Sequence, residues 1–177
     1  GREGFPFEPI VAAGARSALP HARASANVIA TGDLLLIDFG ALHAGYCSDL
    51  TRTFVVGRAA DARQAEIHTL VREANGSASA LVRAGMRGRD ADALARDYIH
   101  RRGMGEAFGH SLGHGIGLEI HEAPRLAKTA ESPLPAGAVV TIEPGVYLEG
   151  WGGVRIEDDV WLAPNGPEVL SRFDRDL

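Results

Sequence analysis

The sequence predicts a mixed α/β fold (α+β) in one domain that is built from two related halves. A length of 177 residues is typical of a single domain, and short β-like runs accompany two stretches with an apolar period near 3.6 residues. A nine-residue pattern also occurs twice: residues 32–40 read Gly-Asp-Leu-Leu-Leu-Ile-Asp-Phe-Gly, and residues 137–145 read Gly-Ala-Val-Val-Thr-Ile-Glu-Pro-Gly. A single repeat over so long a distance indicates a duplicated half-domain, covering about 1–57 and 61–165, and not a solenoid.

Strand signals lie toward both ends of the chain. Residues 1–30, rich in Gly, Pro and Ala, predict at most two short β-like pieces. Aliphatic and β-branched runs predict strands over 34–39 and 46–56, on either side of a loop that carries two glycines. The same signals predict four more strands after the helices, over 138–143, 146–148, 153–157 and 160–162.

Two helices are expected between these groups of strands. Asp61 is a candidate N-cap for a long helix that ends at Gly85. A second helix should begin near Asp90 and end at Gly103. The first half has no counterpart of these helices. The repeat therefore predicts that a preceding helix is missing and that the domain, residues 1–177, is truncated at its N-terminus.

Composition excludes several classes of protein. With 23 acidic and 18 basic residues the net charge is −5, so we expect no nucleic-acid partner. The longest aliphatic run, residues 34–37, is far shorter than the roughly 20 apolar residues that span a bilayer, so we expect no membrane insertion. The single cysteine, Cys47, and the lack of a signal-like start favour a cytoplasmic location.

The first candidate site residues are two aspartates in the first predicted hairpin. A turn at His43-Ala44 would place Asp38 opposite Asp49. Opposed Cβ atoms lie about 4.5–5.5 Å apart, so the two carboxylates would repel unless a cation or a shared proton compensated them. The alternatives are that one acid is exposed at a strand end, or that a bulge shifts the register.

A second acidic pair occurs in the second half. A hairpin centred on Gly150 places Glu143 opposite Glu157. Two duplicated hairpins, each with two acids inside apolar strands, are difficult to accommodate without a metal. The sequence therefore predicts a metal site formed by both halves.

Histidines supply a nitrogen ligand for this site. His110 and His114 have the spacing of ligands on a helix, but the surrounding glycines favour an extended chain. His121 follows nearby. One imidazole with four carboxylates suits a pair of divalent ions such as manganese, cobalt, iron or zinc. The remaining internal histidines are expected to be surface or structural: His43, His68 and His100.

Four motifs together resemble the pita-bread metallopeptidases, the family of methionine aminopeptidase, aminopeptidase P, prolidase and creatinase. They are Gly-His-Gly-Ile-Gly at 113–117 with His121-Glu122, Thr-Ile-Glu-Pro-Gly at 141–145, Arg-Ile-Glu-Asp at 155–158, and Asp38 with Ser-Asp-Leu-Thr-Arg-Thr-Phe at 48–54. The resemblance extends over residues 9–162. It implies a pseudo-twofold fold in which helices back a curved antiparallel sheet.

The resemblance also implies a ligand for each position of a binuclear metal site. Asp38 would hold one metal, Asp49 and Glu157 would bridge both, and His114 and Glu143 would complete the other. Manganese is the expected metal, with cobalt, zinc or iron as alternatives.

The resemblance further implies residues on the substrate side. His21, His110 and His121 match histidines that orient the peptide and stabilise the tetrahedral intermediate. Glu143 is expected to move a proton to the leaving nitrogen, and Arg155 matches a residue that supports the site in the prolyl-specific branch.

The function implied is an Xaa-Pro exopeptidase acting on peptides, either an aminopeptidase P or an Xaa-Pro dipeptidase. The run from Val154 to Asp159 and the extra histidines favour this branch over a methionine aminopeptidase. A metal-free creatinase-like hydrolase or an inactive binding module are further alternatives. Enzymes with similar motifs carry an N-terminal domain, so we expect a homo-oligomer of the full-length protein and weak or no activity of this chain alone.

Overall fold

A computed structural model describes residues 3–177 of the chain. These residues form twelve strands and two helices, joined by loops and by 3₁₀ turns at Gly14–Ala18 and Gly105–Ala107. In chain order the elements are β1 (Ile10–Ala13), β2 (Leu34–Phe39), β3 (Leu42–His43), β4 (Tyr46–Cys47), β5 (Leu50–Val55), α1 (Ala62–Leu81), α2 (Gly88–His100), β6 (Gly113–Gly115), β7 (Glu122–Leu126), β8 (Val139–Ile142), β9 (Gly145–Leu148), β10 (Gly152–Arg155), β11 (Asp158–Ala163) and β12 (Gly166–Val169).

Every strand pairing among the described residues is antiparallel. The first half forms a three-stranded sheet in the order β1-β2-β5, and the second half forms a five-stranded sheet in the order β12-β11-β8-β6-β7. Strands β9 and β10 pair with each other, as do β3 and β4. A bridge between Thr51 of β5 and Glu157 joins the two halves. The internal duplication itself stays a prediction.

The two helices form where the sequence predicts them, but their ends differ. Asp61 is the N-cap of α1, and its carboxylate and the Gln64 side chain form a reciprocal capping box. Helix α1 ends at Leu81 rather than Gly85, because Val82 already has extended dihedral angles. Helix α2 begins at Gly88 and ends at His100. Helix α1 packs against α2 and against the strands from β8 to β10.

Neither helix fits a bilayer. Within the part of the chain that the structure describes, no helix combines the length and the apolar character needed to cross a membrane.

The first hairpin has a different register from the predicted one. Asp38 lies opposite Thr51, not opposite Asp49. The turn falls at Ala44-Gly45, and both residues have positive φ (50° and 78°), as a two-residue type I′ turn requires. The predicted strand over 46–56 is interrupted at Asp49, whose N–H donates to the carboxylate of Asp159 instead of to a neighbouring strand.

The second hairpin has the predicted register. Its turn is centred on Gly150, and the β9–β10 ladder pairs Leu148 with Gly152 and Gly145 with Arg155. The same alignment continues between β8 and β11. The predicted strand over 153–157 ends at Arg155, however, so that Glu143 and Glu157 lie in the gap between the two ladders. Strands β3, β6, β7 and β12 were not predicted.

Candidate metal centre

Five predicted ligands lie where the strands of the two halves meet. Asp38 is in β2, Asp49 directly precedes β5, and His114 is the central residue of β6. Glu143 directly follows β8, and Glu157 stands between β10 and β11. Because these elements come from both halves, the pairing of the sheets itself brings the five side chains to one place.

Three of these residues form a compact ligand set. Asp49, His114 and Glu157 each offer one ligand atom, and these atoms all lie within 4.8 Å of one another. His114 Nε2 is 4.0 Å from Asp49 Oδ2 and 3.3 Å from Glu143 Oε1. The carboxylate of Asp38 lies near enough to Asp49 to raise the pKa of Asp49.

The carboxylates of this centre lie close together and are largely buried. Burial, followed by the charges of Asp38, Glu143 and Asp159, raises the pKa of Asp49 to about 9. Burial also raises the pKa of Glu143 to about 7 and that of Glu157 well above its ordinary value. Without a cation, the centre favours carboxyl groups that keep their protons.

The atoms that face the centre have the chemistry of metal ligands. Burial lowers the pKa of His114 to about 4, so the ring is neutral at pH 7. Its Nδ1 lies 3.0 Å from the carbonyl of Gly115, which can only accept; Nδ1 therefore carries the proton and Nε2 carries a free lone pair. Among the described residues, Asp38 Oδ1 and Asp49 Oδ1 are buried without a hydrogen-bond partner. Oxygen and nitrogen donors of this kind fit a divalent cation.

Two threonine hydroxyls hold the glutamates in place. Thr51 Oγ1 donates to Glu157 Oε2 at 2.6 Å, and Thr141 Oγ1 donates to Glu143 Oε1 at 3.1 Å. Thr141 Oγ1 also accepts from the N–H of His114. Sequence reasoning missed both threonines, although each lies within one of the motifs that pointed to the site.

Arg155 connects Asp38 to Thr51 and Tyr147. Its guanidinium donates to Asp38 Oδ2 at 2.5 Å, to Thr51 Oγ1 at 3.1 Å and to the hydroxyl of Tyr147 at 2.9 Å. Arg155 is almost fully buried, and the carboxylate of Asp38 partly compensates its charge. The predicted supporting role of Arg155 therefore has a geometric basis in these contacts.

Tyr147 links Arg155 to His110, and sequence reasoning missed it. His110 Nδ1 lies 2.8 Å from the carbonyl of Ser111 and Nε2 lies 2.9 Å from the Tyr147 hydroxyl. Burial lowers the pKa of His110 to about 4. The neutral ring therefore donates from Nδ1 and accepts at Nε2, so the hydroxyl of Tyr147 accepts from Arg155 and donates to His110. Gly145 leaves room for this tyrosine, since a Cβ there would lie 2.5 Å from its hydroxyl oxygen.

The other two predicted histidines lie on the open side of the centre. The exposed ring of His121 contacts the His114 ring edge-on, with 4.3 Å between the centroids. His21 is exposed in the loop before β2, near enough to His110 to lower its pKa. His110 itself has Nδ1 4.0 Å from Glu143 Oε2.

A buried ion pair supports the centre from behind. Arg52 donates to the carbonyl of Glu157 at 2.6 Å and to Asp158 Oδ1 at 2.7 Å. Arg175, near the C-terminal end, donates to the other oxygen of Asp158. These residues lie within or beyond the motifs, but nothing in their spacing indicated that they pair.

Comparison with known proteins agrees with this geometry. Residues 1–164 match the profile of metallopeptidase family M24. The chain is 48% identical over 177 residues to the Xaa-Pro dipeptidase of Pyrococcus furiosus, covering 100% of this chain and 51% of that protein. It is 46% identical to the uncharacterized peptidase YqhT of Bacillus subtilis, covering 100% of this chain and 50% of that protein. The chain thus spans about half the length of the curated relatives it matches.

Solved structures share the fold. An Xaa-Pro dipeptidase from Bacillus anthracis superposes with a TM-score of 0.97 at 52% identity, covering 100% of this chain and 50% of that one. An X-Pro aminopeptidase from Thermotoga maritima gives a TM-score of 0.96 at 48% identity, covering 99% and 50%. These likenesses confirm the predicted mixed α/β pita-bread class with antiparallel sheets.

Proposed function

Since the chain belongs to metallopeptidase family M24, we propose that it is the catalytic part of a binuclear metal-dependent exopeptidase that cleaves the bond before proline. The observation that carries this proposal is the set of buried carboxylates around a neutral imidazole, with two carboxylate oxygens left without partners. Relatives described as Xaa-Pro dipeptidase and X-Pro aminopeptidase support the choice of substrate.

The five candidate ligands would be shared between two cations. Asp38 would bind one ion, Asp49 and Glu157 would bridge both, and His114 and Glu143 would complete the second site. Manganese is the first candidate, and cobalt, zinc or iron are the others. When bound, such a pair supplies a nucleophilic water at neutral pH and polarises the scissile carbonyl.

The chain's own groups would move the proton and stabilise developing charge. Glu143, whose Oε1 lies 3.3 Å from His114 Nε2, would accept a proton from the attacking water and pass it to the leaving prolyl nitrogen. His121 is the stronger candidate for an oxyanion donor, because both ring nitrogens of His110 are engaged by Ser111 and Tyr147. His110 and the exposed His21 would then orient the peptide.

Arg155 would act on the ligands and not on the substrate bond. Its contact with Asp38 fixes the oxygen Oδ2, and the other oxygen, Oδ1, is buried without a hydrogen-bond partner and would be available to a cation. Arg155 also holds the hydroxyl of Tyr147, which in turn bonds to the ring of His110.

Metal content is the first test. The wild-type chain is expected to bind two Mn²⁺ ions by elemental analysis after dialysis, and Glu157→Ala should reduce this to at most one. Asp97→Ala removes an exposed carboxylate on α2 and is the matched control. A chain that binds at most one ion, with or without Glu157, would refute the binuclear assignment.

Specificity is tested on the natural polypeptide that contains this chain, with manganese and the peptides Ala-Pro, Ala-Pro-Ala and Met-Ala-Ser. We expect cleavage of the proline peptides. Cleavage of Ala-Pro alone would select an Xaa-Pro dipeptidase, whereas cleavage of Met-Ala-Ser alone would overturn the prolyl assignment. A homo-oligomeric state of that polypeptide stays a prediction.

The role of His121 can be tested in the same assay. His121→Ala should lower kcat by about 10²–10³ with metal content unchanged, the range found for loss of one oxyanion donor. His100→Ala, which removes an exposed imidazole at the end of α2, should leave kcat unchanged. A large rise in KM with an unaltered kcat would instead make His121 a ground-state binding residue.

A further inference from the structure

A buried asparagine on α1 contacts the backbone beside both glutamates. Asn75 is fully buried, and its side-chain Nδ2 donates to the carbonyl of Ile142 at 2.8 Å and to that of Ile156 at 3.2 Å. Ile142 directly precedes Glu143, and Ile156 directly precedes Glu157. One amide group therefore bonds to both strands, in each case at the residue before a glutamate of the centre.

The sequence explains why this amide is needed. Ile156 N–H donates to the carbonyl of Pro144 at 3.4 Å, so these two residues face each other across the hairpin. In an antiparallel pair of this kind the second bond would run from the N–H of residue 144 to the carbonyl of Ile156. Proline has no N–H. Asn75 therefore donates to a carbonyl that the hairpin cannot satisfy.

The backbone of the two glutamates is held from outside the hairpin. Glu143 N–H donates to the carbonyl of Leu112 at 2.9 Å, and Glu157 N–H donates to that of Thr51 at 3.1 Å. Glu143 and Glu157 thus occupy the non-hydrogen-bonded position beside the pair of Pro144 and Ile156, and their N–H groups point outward and bond to neighbouring chain segments on either side. Asn75 bridges the carbonyls of Ile142 and Ile156 from the helix side.

The orientation of this amide follows from its surroundings. Both of its partners are carbonyl oxygens, which only accept, so only the NH₂ end of Asn75 can face them. A single NH₂ group has two protons, one for each carbonyl. An alanine at this position would leave the Ile156 carbonyl without its donor in a dry environment, and such an unpaired group disfavours the native backbone geometry.

We propose that Asn75 is a positioning residue of the metal centre, whose amide sets the spacing between the strands that carry Glu143 and Glu157. This inference rests on the proposed metal site. Asn75 touches neither a metal ligand side chain nor a substrate position in the hydrogen bonds described. It acts through the backbone, and its loss should move the two carboxylates relative to each other.

Titration of the chain with Co²⁺ alone tests this role without an activity assay. Asn75→Ala should weaken Co²⁺ affinity by about 10–100-fold, the range for a lost supporting contact behind metal ligands. Its cobalt absorption spectrum should also change, because the ligand geometry changes. Val71→Ala is the matched control, since Val71 is fully buried one turn earlier on the same face of α1. It should lower thermal stability and leave Co²⁺ affinity and spectrum as in the wild type.

Two further variants keep the test decisive if Asn75→Ala folds poorly. Asn75→Asp keeps the volume, loses the NH₂ group and should also weaken Co²⁺ binding. Pro144→Ala restores a backbone N–H opposite Ile156, so the double variant with Asn75→Ala should recover part of the lost affinity and of the wild-type spectrum.

The outcomes separate this inference from the function it rests on. A wild-type chain that takes up no Co²⁺ would overturn the metal site and the role of Asn75 together. A wild-type chain that binds Co²⁺, with Asn75 variants that bind it equally well and show the same spectrum, would overturn the positioning role alone. Equal losses of affinity in Val71→Ala and Asn75→Ala would reduce Asn75 to a residue of the core.

Discussion

Replacing Thr51 by valine would remove one hydroxyl from the interior of the centre while keeping nearly the same shape. Thr51 is fully buried; its Oγ1 accepts from Arg155 Nε at 3.1 Å and donates its one proton to Glu157 Oε2 at 2.6 Å. Thr51→Val would leave one donor of a buried guanidinium and one oxygen of a buried carboxyl group without this partner.

The loss of stability in Thr51→Val follows from the two hydrogen bonds that the substitution removes. A hydrogen bond to a charged group contributes about 1.5–3 kcal/mol to the free energy of unfolding. Arg155 keeps its contacts with Asp38 and Tyr147, so the lower end of this range applies to its bond with Thr51. Burial raises the pKa of Glu157 well above its ordinary value, so its carboxyl group is neutral in the metal-free chain and its bond with Thr51 contributes about 1 kcal/mol. The expected loss is therefore about 2.5 kcal/mol in total. For a domain of this size such a loss lowers Tm by roughly 5–10 °C.

Urea unfolding of the metal-free chain measures this cost, and Thr53→Val is the matched control. Thr53 lies two residues further along β5, but its hydroxyl bonds only the backbone N–H and carbonyl of Arg155. Thr51→Val should therefore cost more than Thr53→Val, with an unchanged m-value in both. The reasoning is refuted if Thr51→Val unfolds at the same urea concentration as Thr53→Val or the wild type.

Two further predictions concern protons. The pKa of Asp49 is raised to about 9 and that of Glu143 to about 7, so metal binding near pH 7 should release protons from these groups. The affinity for the metal ion should therefore rise between about pH 6 and pH 8. The heat of metal binding, measured by calorimetry, should differ between buffers of unlike ionisation enthalpy. Equal heats in all buffers would contradict this. Burial lowers the pKa of His68 to about 4, against about 6.5 in the unfolded chain. Between about pH 4 and pH 6.5 the unfolded state therefore binds more protons than the folded state. The contribution of neutral His68 to the free energy of unfolding is lost as the pH falls through this range. His68→Leu should flatten the pH dependence of the free energy of unfolding in this window, whereas exposed His100→Leu should leave it as steep as in the wild type.

The parts of the fold that could be predicted have local causes. Strand β2 has the predicted bounds because its aliphatic run is enclosed by glycines. The capping box at Asp61 and the turn at Gly150 each depend on residues within a few positions of one another. All the residues that determine such a feature lie within the element itself, so the local sequence is enough to predict it.

The register of the first hairpin shows where such local signals fail. Ala44 has positive φ, a conformation that a residue with a Cβ adopts rarely, so the dipeptide Ala44-Gly45 carries a weaker turn signal than Asn-Gly would. Asp38 and Asp49 nevertheless become neighbours. The true register places Asp49 two residues from the partner of Asp38, and diagonal neighbours on one sheet face remain within reach of each other.

The supporting residues of the centre could not be predicted from the sequence. Thr51, Thr141 and Asn75 have hydroxyl and amide side chains that are equally common on solvent-facing positions. Their partners lie in distant segments, so only the folded chain shows that they are buried. Strand β6 was missed for another reason: glycine disfavours strands, but a Cβ at Gly113 would lie 1.9 Å from the carbonyl oxygen of Thr141. The strand needs glycine because it lies so close to β8.

The bridge between the two halves also bears on how the chain folds. The contacts that close the centre span most of the chain: Asp38 and Arg155 are 117 residues apart, Asp49 and Asp159 are 110 apart, and Thr51 and Glu157 are 106 apart. Closing such long loops costs entropy before any of these contacts can form, and contacts of this separation slow folding. If the two halves pair late in folding, all the ligands of a cation come together only near the native state. Its binding would then slow unfolding far more than it would speed folding.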